Sequence, residues 1–135
     1  MVEKKFYIAF MTRFPIFLAL FLLVQVVFAN ELATPGALWA SFQANPDAFR
    51  EKHRGTKINI SGIVADTHIS IYLTPVVSLV DKVGEEPKVI CVLPNRSDAS
   101  KLSNYKKGEL VKMTGNFYAA REEKIVIKQC QAEGK

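Results

Sequence analysis

Histidine, cysteine and tryptophan are scarce in this sequence: its 135 residues include two His, two Cys and one Trp. The two His, His53 and His68, stand in no ligand-like spacing with either Cys, so no metal site of the Cys/His kind is expected and no cofactor is assigned. No Ser sits in a nucleophile elbow, and no His-Glu helix motif occurs. The acidic pairs Glu85-Glu86 and Glu122-Glu123 are adjacent turn residues that point apart instead of converging on one substrate. Catalysis is therefore not expected. A large excess of one charge is also missing. The whole chain carries +5, but residues 30–135 hold 15 basic and 12 acidic side chains, far from the balance of a strongly basic nucleic-acid binder. Short apolar runs mixed with scattered charge and turn residues likewise exclude collagen, coiled coil, a disordered tail and a polytopic membrane protein.

What is abundant is concentrated at the start. Six of the nine Phe lie in the first 29 residues, with Lys4, Lys5 and Arg13 but a single acid, Glu3. Pro15 to Phe28 is an apolar run broken only by Gln25, and Val27-Phe28-Ala29 supplies the small residues a signal peptidase needs. These features predict a signal peptide at 1–29, cleaved after Ala29, and a mature domain at 30–135 exported to a bacterial periplasm or beyond. The competing reading is an uncleaved anchor, since Phe6 to Ala29 can be stretched to the ~20 residues that span a bilayer; only then would the membrane be a partner. No Cys follows the run, so lipid attachment through an N-terminal Cys is not available.

Both cysteines, Cys91 and Cys130, fall in the exported part. In an oxidising compartment an even pair in a small domain points to a disulfide ahead of a metal site or a nucleophile; two buried free thiols are the alternative.

Along the mature chain, Thr34-Pro35 and Asn45-Pro46-Asp47 are two helix starts in succession, with Leu38 and Phe42, then Phe49 and His53, four apart. They predict one helix, or two in tandem, over about 36–53. Trp39 is read as packing, and His53 as a capping or packing residue at the helix end. Alternation then takes over. Ile58, Ile60, Gly62 and Val64 share one face of a first strand, whose tail and connection occupy 69–74. A second strand is expected at about 76–81 and a third at 88–93. Ser97 or Asp98 then caps a short helix to about Tyr105.

Two segments match each other: Gly55 to Gly62 and Gly108 to Gly115 both begin at a turn glycine and carry a second glycine seven residues on. An interior glycine weakens a strand unless the backbone bends sharply or passes close to another chain, as at the corner of a small barrel. A fifth strand runs from Lys124 to Cys130. The order is helix, three strands, short helix, two strands.

With its paired glycine-bearing strands, Lys106-Lys107-Gly108 ahead of the fourth strand, and a Cys in strands three and five, the chain resembles the exported OB-fold proteins called tRNA_anti-like over about residues 38–132. The resemblance implies a mainly β domain, a five-stranded OB-fold barrel with an N-terminal helix and a short helix between strands three and four. It also implies that strands three and five are neighbours, which brings Cys91 and Cys130 together. Strict alternation puts Cys130 on the face of Lys124 and Lys128, so pairing requires a bulge near Gln129. OB barrels commonly bind ligands on strands two and three and on the loops that follow strands one and four. Those places carry Tyr72, Lys88, Tyr118 and Arg121 as candidate ligand-binding residues, with His68, Lys124 and Lys128 beside them. Ordinary exposed strand residues are the plainer reading of the same positions. The function expected is a non-catalytic binding module of the envelope whose partner is a protein, a glycan or a small polyanion; the alternative is a single-stranded nucleic-acid binder of the anticodon-domain type. Nothing in the sequence sets an oligomeric state.

Overall fold

A computed structural model describes residues 32–133, so the expected leader and its cleavage site lie outside the described residues. The chain enters beside the first strand, where Ala33 N–H donates to Asn59 O and Ala33 O accepts from Ser61 N–H, both at 2.9 Å. Helix α1 (Pro35–Ala44) starts at Thr34, whose hydroxyl accepts from Ala37 N–H at 3.2 Å. Helix α2 (Pro46–His53) starts at Asn45, whose side-chain oxygen accepts from Ala48 N–H at 3.1 Å. The tandem pair follows from Pro46. Its ring excludes Asn45 from the helical region, and Asn45 accordingly sits at φ −157° and ψ 93°. Leu38, Phe42 and Phe49 are the buried anchors of the two helices.

The five strands are β1 (Lys57–Ile69), β2 (Pro75–Val80), β3 (Val89–Val92), β4 (Leu110–Ala120) and β5 (Ile125–Ala132). They close into a barrel in the order β1-β2-β3-β5-β4. This is the OB-fold architecture that the sequence led us to expect. The long β1 serves two partners: Lys57 to Ile63 pair with β4, and Ile63 to Ile69 pair with β2 across a bulge between Val64 and Asp66. The five strands pair antiparallel except β3 with β5, where Cys91 lies opposite Ile127.

Both interior glycines sit at close approaches. A Cβ on Gly62 would come within 2.8 Å of Pro35 Cγ, and one on Gly115 within 2.6 Å of Ile127 Cγ2 and 2.9 Å of Cys130 Sγ. The bulge in β5 lies where the alternation requires it. Register slips between Thr114 and Asn116 on the partner strand, Gln129 takes φ 53°, and the buried series Ile125, Ile127 continues at Cys130. Both thiols therefore face the core. They are free in this structure and not joined as a disulfide.

Between β3 and β4 runs a 3₁₀ helix (Arg96–Asn104) instead of an α-helix. Its serines bond backwards onto the backbone, Ser100 Oγ to Ser97 O at 3.3 Å and Ser103 Oγ to Ser100 O at 3.2 Å, competing with α-helical bonding. Neither Ser97 nor Asp98 is the cap. Asn95 precedes the helix, and Asp98, three positions on, turns back to accept Asn95 N–H at 3.0 Å. Lys101 at 3.0 Å and this N–H hold the Asp98 carboxyl below its usual range.

The core is mostly aliphatic inside the barrel, with Ile60, Leu79, Met113, Ile125 and Ile127 fully enclosed. The three Phe of the described residues join the helices to the barrel. Phe42 meets Phe49 at 5.6 Å and Phe49 meets Phe117 at 5.8 Å, both edge to face.

Candidate functional site

β2 is buried along its whole length, a consequence of the unbroken run Pro75-Val76-Val77-Ser78-Leu79-Val80. It therefore presents no exposed side chain to a ligand. Lys88, expected on that face, lies just ahead of β3 with its ammonium 5.3 Å from the Trp39 ring and 3.4 Å from Glu86. Trp39 is thus packed against the core and covered by a cation, a contact that sequence reading did not foresee.

The loops that follow β1 and β4 lie at opposite ends of the β2–β3 pair. Ile125 N–H donates to Lys88 O at 2.8 Å at one end, and Leu93 N–H donates to Pro75 O at 3.0 Å at the other. Five residues of strand, roughly 16 Å at ~3.3 Å each, separate them. Tyr72 belongs to the Leu93 end, and Arg121 and Lys124 to the Lys88 end. The candidate residues consequently do not converge as one set.

Tyr72 stands on the β1–β2 tip, where Ile71, Tyr72 and Leu73 are 89%, 73% and 60% exposed. Ser70 organises the tip: its hydroxyl lies 2.6 Å from Thr74 Oγ1 and accepts from Tyr72 and Thr74 N–H, both at 3.3 Å. Leu73 is held at φ 62°. His68 is in β1 itself, 3.7 Å from Asp66.

Tyr118 and Arg121 do come together. Tyr118 is part of β4 and points outward; across the strand pair, Lys128 Nζ lies 3.5 Å from the centre of its ring. Two grooves meet at Tyr118, Ala119 and Arg121. One, of about 440 Å³, runs to Arg50 of α2 and to Arg54, which caps that helix, and the other, of about 600 Å³, runs to Glu122, Glu123 and Lys124. α2 is fixed over this surface by Arg50, whose Nε donates to Ala120 O at 3.0 Å while its guanidinium lies 5.3 Å from the Phe42 ring. Arg54 pairs with exposed Glu51 at 3.4 Å, a contact too weak to withdraw it from a ligand. The trough thus presents the exposed Tyr118 ring, with Phe117 beside it, and several cations, against the carboxylates of Glu122 and Glu123. Arg50 and Arg54 were absent from the sequence-based site. Their only signal was a basic cluster at a helix end, which reads equally well as a response to the helix dipole.

A model of the tRNA_anti-like family matches residues 29–131. The chain belongs to the tRNA_anti-like family. This agrees with the resemblance drawn from the glycine pairs and element order. A search of curated proteins finds no match. Among solved structures the chain is similar to a protein of Klebsiella pneumoniae subsp. pneumoniae described as a candidate nucleic acid-binding lipoprotein, with TM-score 0.60 and 10% identity over 80% of this chain and 95% of that one. At that identity the likeness is one of fold.

Proposed function

We propose that this tRNA_anti-like protein is a non-catalytic module that binds single-stranded nucleic acid along the outer face of β4 and β5, and that it does so outside the cytoplasm. The observation that carries the binding reading is the Lys128–Tyr118 pair at 3.5 Å, at the mouth of a trough bordered by Arg54, Arg121 and Lys124. Single strands are held by this combination, an aromatic face for a base and cations that follow the phosphates. The description of the Klebsiella protein supports the same reading. Export rests on the sequence of residues 1–29 alone.

Titration with labelled oligonucleotides of about 4–16 nucleotides, the range one OB fold occupies, tests the proposal. Binding at low salt is expected, with single strands preferred over duplex. Tyr118→Ala is expected to weaken it by roughly 5- to 150-fold, since stacking is worth ~1–3 kcal/mol per base. Tyr72→Ala should leave it unchanged. No binding at low salt overturns the proposal.

A protein partner in the envelope is the second reading, favoured by the exposed and internally braced Ile71-Tyr72-Leu73 tip. If that tip is the working surface, Ile71→Ser will abolish capture of a partner from envelope extract while oligonucleotide titrations stay blank.

A further inference from the structure

Cys91 and Cys130 lie on the one parallel pairing of the barrel, and their surroundings are unequal. Cys91 is 0% exposed and faces inward from β3 opposite Ile127. Cys130 Sγ–H donates at 3.4 Å to the carbonyl of that same Ile127, because the bulge at Gln129 turns it to the inside. The two thiols hydrogen-bond to each other. They differ in access: Cys130, 1% exposed, borders a cleft of about 450 Å³ between the 3₁₀ helix and β5, alongside Tyr105, Asp98 and Lys101, whereas Cys91 does not reach it.

We propose that Cys91 and Cys130 are a dithiol that closes to a disulfide in a fixed order, with Cys130 exchanging first from the cleft and Cys91 resolving. The oxidant is a small-molecule disulfide. The Cys130 thiolate attacks one of its sulfurs and expels the other as a thiolate, leaving a mixed disulfide on Cys130. Cys91 then gives up its proton and attacks Cys130 Sγ, expelling the second thiolate. Two protein thiols are oxidised and one disulfide is reduced to two thiols, so electrons balance. The hydrogen bond to Cys130, followed by burial, pushes the Cys91 thiol well above its ordinary range. That suits a resolving thiol, which reacts only when the mixed disulfide is already beside it. The closed bond clamps β3 to β5 and rings about 40 residues.

The test uses the full chain, reduced and then exposed to oxidised glutathione in its folded state, with thiols counted by alkylation and intact mass. Wild type is expected to lose two hydrogens and both alkylatable thiols over minutes to hours. Cys91→Ala should accumulate a stable glutathione adduct on Cys130, and Cys130→Ala should accumulate little or none on Cys91. The oxidised wild type should also melt roughly 12 °C or more above the reduced form. Two free thiols in the wild type, after glutathione treatment and after export alike, overturn the proposal whether or not either variant folds. Equal adducts on both variants overturn the order.

Discussion

Gly115 shows how one missing side chain fixes the barrel's interior. Its position faces Ile127, Cys130 and the carbonyl of Lys128, and an added Cβ would lie 2.9 Å from that carbonyl oxygen. A backbone atom cannot swing aside as a lysine end can, so β4 and β5 would have to separate at the bulge. Gly115→Ala is expected to cost about 1–3 kcal/mol, the usual range for overpacking, read as a lower urea midpoint with an unchanged slope. An unchanged midpoint would mean that the two strands are not in close contact there. The requirement for a close approach was legible in the sequence, because glycine inside an alternating strand has few other uses. The identity of the neighbour was not, since Cys130 reaches Gly115 only through a bulge that shifts its phase by one residue.

At the scale of the element, α2 is more than a cover for the core. His53 closes the helix with its ring 4.4 Å from Phe49 and 6.0 Å from Phe117, and its carbonyl accepts from Thr56 Oγ1 at 2.7 Å. Burial first, and Lys52 second, lower its pKa from the ordinary 6.5. The packing reading of His53 thus fits better than a charged residue facing the helix dipole. The unfolded chain binds this proton more tightly than the folded one, so stability is fully present above about pH 6.5 and declines as pH falls toward the lower folded value. Chemical unfolding followed between pH 7 and pH 5 should show this slope, and His53→Gln should reduce it. An identical slope in the variant would place the responsible group elsewhere. The helix pair itself was legible, because Thr34-Pro35 and Asn45-Pro46 are local signals that act through the backbone of their own residues. The 3₁₀ form of the helix at Arg96–Asn104 was not foreseen, since a Ser- and Asn-rich segment permits several backbone arrangements of similar energy.

For the molecule as a whole, charge placement matters more than charge total. Residues 95–135 hold nine basic and five acidic side chains, and folding carries Arg50 and Arg54 from the near-neutral first half to the same surface. If Arg54, Arg121, Lys124 and Lys128 meet phosphates, binding constants should fall with salt at a log–log slope of about −2 to −3, at ~0.7 per contact for single strands. The double variant Arg54→Ala with Lys124→Ala should lower that slope by about one. A slope near zero, or one unaffected by the variant, would indicate that the cations do not touch the strand.

By itself the sequence determined a helical stretch over about 36–53 with two start signals, five strands in order, the barrel corners at Gly62 and Gly115, and a resemblance to an OB-fold family. Each of these is written in residues close together along the chain, where capping, alternation and turn chemistry operate. Only the tertiary structure decided which of the candidate residues come together. It buried β2 throughout, sent Tyr72 to the far end of the β2–β3 pair, and set Arg54, at the end of α2, beside Tyr118 and Arg121 of the β4 end. That grouping joins residues more than sixty positions apart through barrel closure and the docking of a helix, neither of which leaves a local trace. The same closure brought two cysteines from different strands within hydrogen-bonding reach of each other and left only Cys130 at the edge of a cleft.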